Sequence, residues 1–304
     1  MRSRKDQPIV VTVKERCRAC YTCVRECPAK AIKISSAQAE IMADRCIACG
    51  NCVKVCRQHA KTVLSSISEV NELLHSDAKV AAIIAPSFPA EFHDMYYMKF
   101  IGMVRSIGFD YVCEVSFGAD LVARKQRELL EEPNGKHYIT TTCPAVVGYV
   151  RRYHPHLMPY LSPIVSPMIA MARVVHKMYG DDVKIVFIGP CIAKKGEAAL
   201  DELATDVDEA MTFAELRRMF DDNCISPESV ITSEFDPPYG DLGAIFPLGH
   251  GMLQAAGIDE DLTEGDVVSA NGRSDFIEAI REFESDDLHA KLVDVLCCNG
   301  CIMG

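Results

Sequence analysis

The segment Val293-Asp-Val-Leu-Cys297-Cys298-Asn-Gly-Cys301-Ile-Met-Gly304 decides how the rest of the chain is arranged. The apolar run from Leu292 to Leu296 predicts a short buried strand that leads directly into a turn with three thiols. Gly300 lets the backbone approach a bulky inorganic ligand without a Cβ in the way. The segment therefore predicts a strand end that grips an iron cluster together with thiols from elsewhere in the chain.

Two further cysteines are candidates for those thiols. Cys143 stands in Thr140-Thr-Thr-Cys143-Pro144, and Cys191 stands in Ile188-Gly-Pro-Cys191. Each cysteine follows a β-branched run and lies next to a proline at a predicted strand end. Both are therefore expected to meet the C-terminal turn.

Bulk composition is that of a globular protein with a large core. The chain has 304 residues, of which 49% are hydrophobic and 25% charged. Its polar start, Met1-Arg-Ser-Arg-Lys-Asp6, leads into no long apolar run, so the sequence predicts neither a secretory signal nor a membrane span. We therefore expect a cytoplasmic location. In that compartment fifteen cysteines favour metal binding over disulfides.

Charge is distributed unevenly along the chain. Residues 1–66 contain 13 Lys and Arg against 5 Asp and Glu, whereas the rest contains 19 against 38. The basic residues are scattered singly among cysteines without a basic run or interleaved aromatics, which argues against nucleic-acid binding. Positive surroundings suit anionic iron-thiolate clusters, and a basic face could dock an acidic redox partner.

An internal repeat occupies the N-terminal region. Its two copies run from Cys17 to Cys27 and from Cys46 to Cys56, and both have the spacing C-x2-C-x2-C-x3-C. This is the spacing of bacterial ferredoxins with two clusters, in which the fourth cysteine of each run ligates the other cluster. The predicted 4Fe-4S ligands are Cys17, Cys20, Cys23 and Cys56 for one cluster and Cys46, Cys49, Cys52 and Cys27 for the other. A pair of zinc sites is the alternative, but eight cysteines exceed the usual zinc spacings.

The remainder of the sequence predicts an α/β fold. We expect an α+β ferredoxin-like domain over residues 1–66, followed by a domain over 67–304 in which strand-like runs alternate with amphipathic helices. Such alternation implies parallel sheets with ligands at the carboxyl ends of the strands. Predicted helices include 90–106, 119–132, 163–179, 213–222 and 274–283, and predicted strands include 79–85, 111–115, 137–142, 184–188, 243–246 and 292–296. The glycine-rich motifs of dinucleotide and P-loop sites are absent from the sequence.

Three motifs together resemble a known family. They are Thr-Thr-Thr-Cys143-Pro144, Gly-Pro-Cys191-x-x-Lys194 and Cys298-Asn-Gly-Cys301-Ile-Met-Gly, and they follow a two-cluster ferredoxin region. In this order they resemble the FeFe-hydrogenases over nearly the whole chain. The resemblance implies a two-lobed domain that holds an H-cluster, which is a 4Fe-4S cluster linked to a diiron unit with CO, cyanide and an azadithiolate. It also implies reversible conversion of H2 into protons and electrons.

The resemblance also implies a ligand set for the H-cluster. Carried over, the ligands are Cys143, Cys191, Cys298 and Cys301, with Cys301 bridging to the diiron unit. Catalytic family members space the final pair C-x3-C, which would select Cys297. The string here is similar to the sensory branch, whose C-x2-C spacing selects Cys298 and leaves Cys297 as a packed thiol.

Other residues match positions around the diiron unit. Pro86 and Ser87 resemble a Pro-Ser pair beside one cyanide, and Lys194 resembles the lysine that donates to the other. Burying a cyanide nitrogen requires such donors, because its charge is otherwise unpaired. Met168 replaces a glutamine and cannot donate a hydrogen bond.

Proton delivery departs most from the family pattern. Thr142 stands where active enzymes carry a relay cysteine, and Arg124-Lys125-Gln126-Arg127 replaces a segment with a glutamate pair, whereas Ser162 resembles the relay serine. A threonine hydroxyl has a far higher pKa than a thiol and exchanges protons poorly near neutral pH. The sequence therefore predicts slow turnover and a sensory or regulatory role. Expected partners are H2, protons, a redox protein or further subunit, and diiron maturation machinery; the alternative is an iron-sulfur assembly or carrier protein without the diiron unit.

Overall fold

The computed structural model of the chain describes residues 8–133, 135–259 and 266–303. The polar residues 1–7, on which the expected lack of a secretory signal partly rests, lie outside the described residues. The strands are β1 (Val10–Thr12), β2 (Ile32–Ser35), β3 (Gln38–Ile41), β4 (Lys61–Val63), β5 (Val80–Ile84), β6 (Tyr111–Glu114), β7 (Tyr138–Ile139), β8 (Lys184–Gly189), β9 (Glu209–Thr212), β10 (Val267–Asn271) and β11 (Leu292–Leu296). The α-helices are α1 (Thr22–Arg25), α2 (Asn51–Lys54), α3 (Ile67–Leu74), α4 (Phe88–Glu91), α5 (Tyr97–Ile107), α6 (Val115–Glu131), α7 (Pro144–Tyr153), α8 (Pro167–Tyr179), α9 (Ala193–Ala198), α10 (Phe213–Asp222), α11 (Gly251–Ala256) and α12 (Asp275–Glu284).

The N-terminal module is built from two short antiparallel pairs. β1 pairs with β4, and β2 pairs with β3, while α1 and α2 each carry a cysteine of the repeat. Pairing of β1 with β4 brings the two ends of this module together. The predicted boundary after residue 66 falls at the start of α3, and the division into domains remains a prediction.

Two separate parallel sheets form the rest of the described chain. The first has the strand order β6-β5-β8-β9, and the second has the order β10-β11-β7. Every residue of β5 and of β11 is buried, as expected for the central strands of parallel sheets covered by helices. The predicted α/β class with parallel sheets is confirmed, and each sheet forms one lobe.

Two predicted elements differ from the structure. The predicted strand over 243–246 is wrong, because Leu242–Ile245 forms a 3-10 helix packed against α6. Gly243 explains the difference: a Cβ there would lie 2.0 Å from the carbonyl oxygen of Ser116, so the segment approaches the backbone of α6 too closely to extend as a strand. The predicted helix over 90–106 is divided into α4 and α5, with Phe92 at the end of α4 packing its ring 4.5 Å from that of Phe100.

The N-terminal module is seated on the second lobe by polar contacts. The single hydroxyl proton of Tyr153 is shared between two carbonyl oxygens, those of Ala29 at 2.6 Å and Arg45 at 2.9 Å from Oη. Arg273 forms an ion pair of 2.5 Å with Glu26. These contacts fix the cysteine repeat against the edge of the second lobe. No described helix combines the length and apolar character needed to cross a membrane.

Candidate functional site

Folding sorts the eight cysteines of the repeat into two groups of four. The thiols close enough to Cys23 to affect its ionisation are those of Cys17, Cys20 and Cys56. For Cys52 they are those of Cys27, Cys46 and Cys49. The fourth cysteine of each run thus joins the first three of the other run. Burial raises the pKa of the Cys23 and Cys27 thiols, and it raises that of Cys52 to about 12. Since clusters bind thiolates, metal must compensate for this burial.

Backbone conformation in the two runs is repeated with the cysteines. Ala19 and Tyr21 have φ of 48° and 61°, and the equivalent Ala48 and Gly50 have φ of 56° and 75°. Alternating right- and left-handed residues turn successive N–H groups inward, which suits an anion such as an iron-thiolate cluster. The N–H groups of Ala31 and Ala60 also donate to the sulfurs of Cys27 and Cys56 at 3.3 Å. Such donors stabilise a reduced cluster.

The other four candidate thiols meet between the lobes. Cys143 follows β7, Cys191 follows β8, and Cys298 and Cys301 follow β11. Cys301 has Cys191, Cys143 and Cys298 as electrostatic neighbours, and Cys298 in turn neighbours Cys143 and Cys191. The structure thus brings together four thiols from three strand ends.

Burial dominates the ionisation of these four thiols. It raises the pKa of Cys143 and Cys301, that of Cys191 to about 11, and that of Cys298 to about 12. An empty site therefore favours neutral thiols, and binding of a metal cluster must displace their protons. The chemistry of the donor set suits iron rather than an organic ligand.

Cys297 faces a different neighbour. Its thiol lies beside that of Cys49 in the repeat, and this proximity raises the pKa of Cys297 and lowers that of Cys49 to about 7. The sequence gave no sign of this contact, because the two residues are almost the length of the chain apart.

A narrow cavity of about 70 Å³ adjoins two of the four thiols, those of Cys191 and Cys301. Its walls are largely apolar and come from both lobes. They include Ala85, Pro86, Ser87, Thr142, Met168, Cys191, Lys194, Phe246, Asp294 and Cys301. Pro86, Ser87, Thr142 and Lys194, which the sequence singled out, thus share one cavity with two of the cysteines.

Two hydroxyls in this cavity lack hydrogen-bond partners among the described residues. They belong to Ser87, which is 5% exposed, and Thr142, which is 9% exposed. A buried hydroxyl without a partner is costly, so each is poised to bond a group that the cavity receives. This observation fits the cyanide and amine groups of a diiron unit.

Lys194 reaches the same cavity but also has a carboxylate partner. Its ammonium lies 2.6 Å from Glu197 Oε2, and the two side chains are only 11% and 10% exposed. Glu197 therefore neutralises a charge that would otherwise be buried alone. Sequence reasoning missed Glu197, although its spacing three residues after Lys194 on α9 is a standard signal for such a pair.

Asp294 is a second residue that sequence reasoning missed. It lies in the middle of β11, is 2% exposed, and accepts a 3.1 Å hydrogen bond from Thr140 Oγ1. Because it lines the cavity, it brings a carboxyl group to the candidate site. It appeared in the sequence only as one polar residue within an apolar strand.

Ser162 lies outside this cavity. It lines a larger neighbouring cavity of about 590 Å³, and its hydroxyl bonds to Gln126. Within the segment that replaces the family's glutamate pair, Gln126 is buried, whereas Arg124, Lys125 and Arg127 are exposed. Gln126 is therefore the member of that segment that faces the interior.

Sequence comparison assigns the chain to a family. The family described as "Iron only hydrogenase large subunit, C-terminal domain" matches residues 78–304, and the "4Fe-4S dicluster domain" matches residues 9–57. The chain belongs to the iron-only hydrogenase large-subunit family. The predicted resemblance to FeFe-hydrogenases is thereby confirmed, and iron-sulfur binding follows from both matches.

The relatives of this hydrogenase-family chain include two proteins named as hydrogenases and one named as an iron-sulfur cluster assembly factor. It is 29% identical to Iron hydrogenase 1 of Clostridium pasteurianum over 219 residues, which cover 63% of this chain and 38% of that protein. Identity is 28% with NADP-reducing hydrogenase subunit HndD of Solidesulfovibrio fructosivorans, covering 52% and 31% of the two chains. It is 26% with the cytosolic Fe-S cluster assembly factor NAR1 of Yarrowia lipolytica, covering 47% and 30%. The chain matches about a third of the length of these relatives.

Structural comparison gives the same fold. FeFe-hydrogenase HydA1 of Chlamydomonas reinhardtii, in a variant form, matches with a TM-score of 0.63 at 19% identity, covering 79% of this chain and 84% of that one. The two-lobed arrangement is therefore that of the hydrogenase family.

Proposed function

We propose that this protein is an FeFe-hydrogenase that interconverts H2 with protons and electrons, slowly and in a sensory or regulatory role. The observation that carries the proposal is the cavity in which two unpartnered hydroxyls, Ser87 and Thr142, face the same space as Lys194 and two of the four converging cysteines. Electron transfer alone does not require such a cavity. A bound ligand with several hydrogen-bond acceptors would use it, because the two hydroxyls and Lys194 could donate to those acceptors.

The proposed cofactors are two 4Fe-4S clusters in the N-terminal module and an H-cluster between the lobes. Cys143, Cys191, Cys298 and Cys301 would hold the 4Fe-4S part, and Cys301 would bridge to the diiron unit. When bound, the diiron unit with its CO, cyanide and azadithiolate ligands supplies the metal and amine chemistry that splits H2. Ser87, which lies in a turn with Pro86, would donate a hydrogen bond to one cyanide. Lys194 would donate to the other.

The protein contributes exclusion of water and fixed charge. The cavity walls are mostly apolar, so a hydrogen bond or ion pair within them is stronger than in water. Lys194 has three donors, so it can bond a cyanide while it keeps its contact with Glu197. Glu197 would thus limit the net charge of the pocket and fix the direction of the ammonium group.

Electrons would travel through the N-terminal module. Its two groups of cysteines would hold one cluster beside the second lobe and the other farther toward the module's own surface, where Cys20 is exposed. A redox protein or another subunit would deliver or accept electrons there, and the naming of HndD as a subunit supports the second option. The cytoplasm, where such partners and the maturation machinery would be found, is the proposed location.

Slow turnover is proposed from the residues that face the proton route. Thr142 cannot replace a thiol as an acid near neutral pH, and the amide of Gln126 does not ionise there. Asp294 is the ionisable acid that the structure places in the cavity wall. A protein with such a restricted supply of protons suits signalling better than bulk H2 production.

A second candidate is an iron-sulfur assembly role without the diiron unit. The similarity to assembly factor NAR1 and the loss of the relay cysteine and glutamate favour it. The unpartnered hydroxyls of Ser87 and Thr142 weigh against it, because they have no function without a ligand in the cavity.

Infrared spectroscopy of maturated protein separates these candidates. CO and cyanide bound to iron absorb in a region free of protein bands, so wild-type protein loaded with the diiron unit should show both. Cys301→Ser, which lacks the proposed bridge, is the matched control and should show neither. Roughly fourteen irons per chain are expected in the wild type, from two ferredoxin clusters and the six-iron H-cluster. Three 4Fe-4S clusters without CO or cyanide bands would favour the assembly role.

A further inference from the structure

Two histidines and a glutamate converge on the second lobe, outside both groups of cysteines. His154 directly follows α7, His156 lies in the 3-10 helix Pro155–Tyr160, and Glu284 is the last residue of α12. Nδ1 of His154 lies 3.0 Å from Oε2 of Glu284, and Nε2 of His156 lies 2.6 Å from Oε1. The ligand atoms of all three residues lie within 4.8 Å of one another, so one small ion could contact them together.

The backbone and the ring of His154 are both held in place. Its N–H donates to the carbonyl oxygen of Val150 at 2.9 Å, and its own carbonyl oxygen accepts from the N–H of Leu157 at 2.9 Å. Its ring packs 5.4 Å from that of Tyr149, and its side chain is only 12% exposed. Binding of an ion would therefore order little at this residue, which favours affinity.

The contact between His154 and Glu284 is close but is not a well-aligned hydrogen bond. Nδ1 of His154 is buried and has no aligned hydrogen-bond partner in the part of the chain that the structure describes, although Oε2 lies 3.0 Å away. A buried nitrogen without such a partner is costly. A metal ion placed between the nitrogen and the carboxylate would satisfy both groups.

The donor set indicates which ion fits. Two imidazole nitrogens with one carboxylate form a usual ligand set for Zn²⁺, which binds three protein ligands and leaves a fourth position open. Ca²⁺ and Mg²⁺ prefer oxygen ligands and suit the set less well. His156 and Glu284 are 58% and 33% exposed, so an ion can enter from solvent and water can occupy the fourth position.

We propose that His154, His156 and Glu284 form a zinc site that joins the segment after α7 to the end of α12. α7 begins directly after Cys143, and both helices pack against β11. Bound zinc would therefore brace the outer side of the lobe that carries the candidate cysteines. The site goes beyond the proposed function, and it requires none of the iron chemistry.

The test adds Zn²⁺ to full-length protein in which the 4Fe-4S clusters have been assembled, because empty cysteine sites would also bind zinc. Iron is measured before and after, so that exchange is detected. Wild type is compared with His156→Ala and Glu284→Gln. His289→Ala is the matched control, because His289 lies 3.7 Å from Asp286 in an exposed pair that has no third ligand among the described residues. Calorimetry measures affinity, and X-ray absorption at the zinc edge identifies the neighbouring atoms.

We expect one zinc per chain in wild type and His289→Ala, with unchanged iron. Affinity should fall by at least ~10²-fold in His156→Ala and Glu284→Gln, since loss of an outer-shell partner alone costs up to that much. Zinc should raise the unfolding temperature of wild type and control but not of these two variants.

The zinc spectrum should show only nitrogen and oxygen neighbours at about 2.0–2.1 Å. Absence of zinc binding by wild type would overturn the site. Equal affinity in wild type and His156→Ala would do the same, as would sulfur neighbours at about 2.3 Å. Because His156 is mostly exposed, His156→Ala should fold normally. The proposed function fails separately, through missing infrared bands, because zinc binding here does not depend on the diiron unit.

Discussion

The hydroxyl of Ser162 donates a 3.3 Å hydrogen bond to Oε1 of Gln126, and both side chains are buried. The bond joins the serine that resembles the family's relay serine to a residue in the segment that replaces its glutamates. A carboxylic acid in place of the amide would accept and return a proton, whereas the amide only orients the hydroxyl. In the proposed hydrogenase, this bond would keep the geometry of a proton relay but would lack a group that ionises.

Replacing Thr142 by cysteine should restore the inner end of this route. An unperturbed thiol titrates near pH 8.5. Thr142→Cys should therefore raise H2 evolution, by ~10²-fold for a well-positioned acid. The measurement compares variant and wild type at equal diiron occupancy, verified by infrared spectroscopy. Equal rates would show that Thr142 does not limit proton supply and would remove the main physical support for a regulatory role.

Gln126→Glu should restore the outer end and increase the rate further in the Thr142→Cys background. The matched control is Lys125→Glu, because Lys125 is 65% exposed and pairs with Glu128 on the surface of α6. Because Lys125 is exposed and Gln126 is buried against Ser162, position 126 is the better site for a glutamate. If both glutamate variants give the same rate, the effect is one of surface charge and the buried bond to Ser162 is not part of the route.

Cys298→Ser tests the ligand assignment directly. If Cys298 completes the four-cysteine group, the variant should lose about four irons and the corresponding electron paramagnetic resonance signal, while both ferredoxin clusters remain. The control is Cys297→Ser in the same preparation. Loss of iron from the Cys297 variant, with Cys298→Ser intact, would assign the C-x3-C ligand pair instead.

Lys195 and Glu215 should contribute strongly to stability. Lys195 Nζ lies 2.9 Å from Glu215 Oε1, and the side chains are 4% and 13% exposed. Lys195→Met leaves the mostly buried Glu215 carboxylate with its hydrogen bonds from Ser66 and Thr212 but without a countercharge, which costs about 3 kcal/mol. A large fall in unfolding temperature is expected at pH 7. Lys184→Met, which breaks the more exposed 2.9 Å pair with Asp208, is the control and should cost less than about 1 kcal/mol.

The same pair predicts how stability depends on pH. Burial alone would raise the pKa of Glu215, but the Lys195 ammonium and hydrogen bonds from Thr212 and Ser66 outweigh it and hold the pKa below the ordinary 4.5. A depressed pKa in the folded state stabilises the protein above pH 4.5, and this contribution is lost as the pH falls through the folded-state value. The gap in unfolding temperature between wild type and Lys195→Met should therefore shrink below pH 4.5. A gap that stays constant there would contradict the ion-pair explanation.

Gly50→Ala should loosen the seat of the N-terminal module. The left-handed backbone costs roughly 1–2 kcal/mol for alanine, and the new Cβ also meets Ile192. Gly135→Ala is the control, since Gly135 has φ of 62° with nothing within 4 Å of the added Cβ. Hydrogen exchange around Cys49 should increase in Gly50→Ala and partly recover in the double variant with Ile192→Ala. No recovery would attribute the effect to backbone strain alone.

Sequence reasoning succeeded where a local pattern determines the structure. The apolar run of β11 has the predicted bounds, and the repeat of C-x2-C-x2-C-x3-C spacings places its cysteines in the two expected groups. It failed where a contact joins distant parts of the chain. Nothing near Gly243 indicates that its segment will press on the backbone of α6, and no local signal pairs Cys49 with Cys297. Asp294 was overlooked because the sequence does not reveal what surrounds a polar residue within a strand. The cavity that Asp294 lines forms only when the lobes assemble.

The two parallel sheets are interleaved along the chain, and this has a consequence for biosynthesis. β5 and β6 belong to the first sheet, β7 to the second, β8 and β9 to the first again, and β10 and β11 to the second. β7 is an edge strand whose neighbour, β11, is translated more than 150 residues later. Cys143 and Cys191 therefore emerge from the ribosome long before the turn at Cys298–Cys301 exists to meet them. Insertion of the proposed cluster between the lobes would therefore have to follow translation of that turn, whereas all eight cysteines of the N-terminal repeat have been translated once β4 has been made.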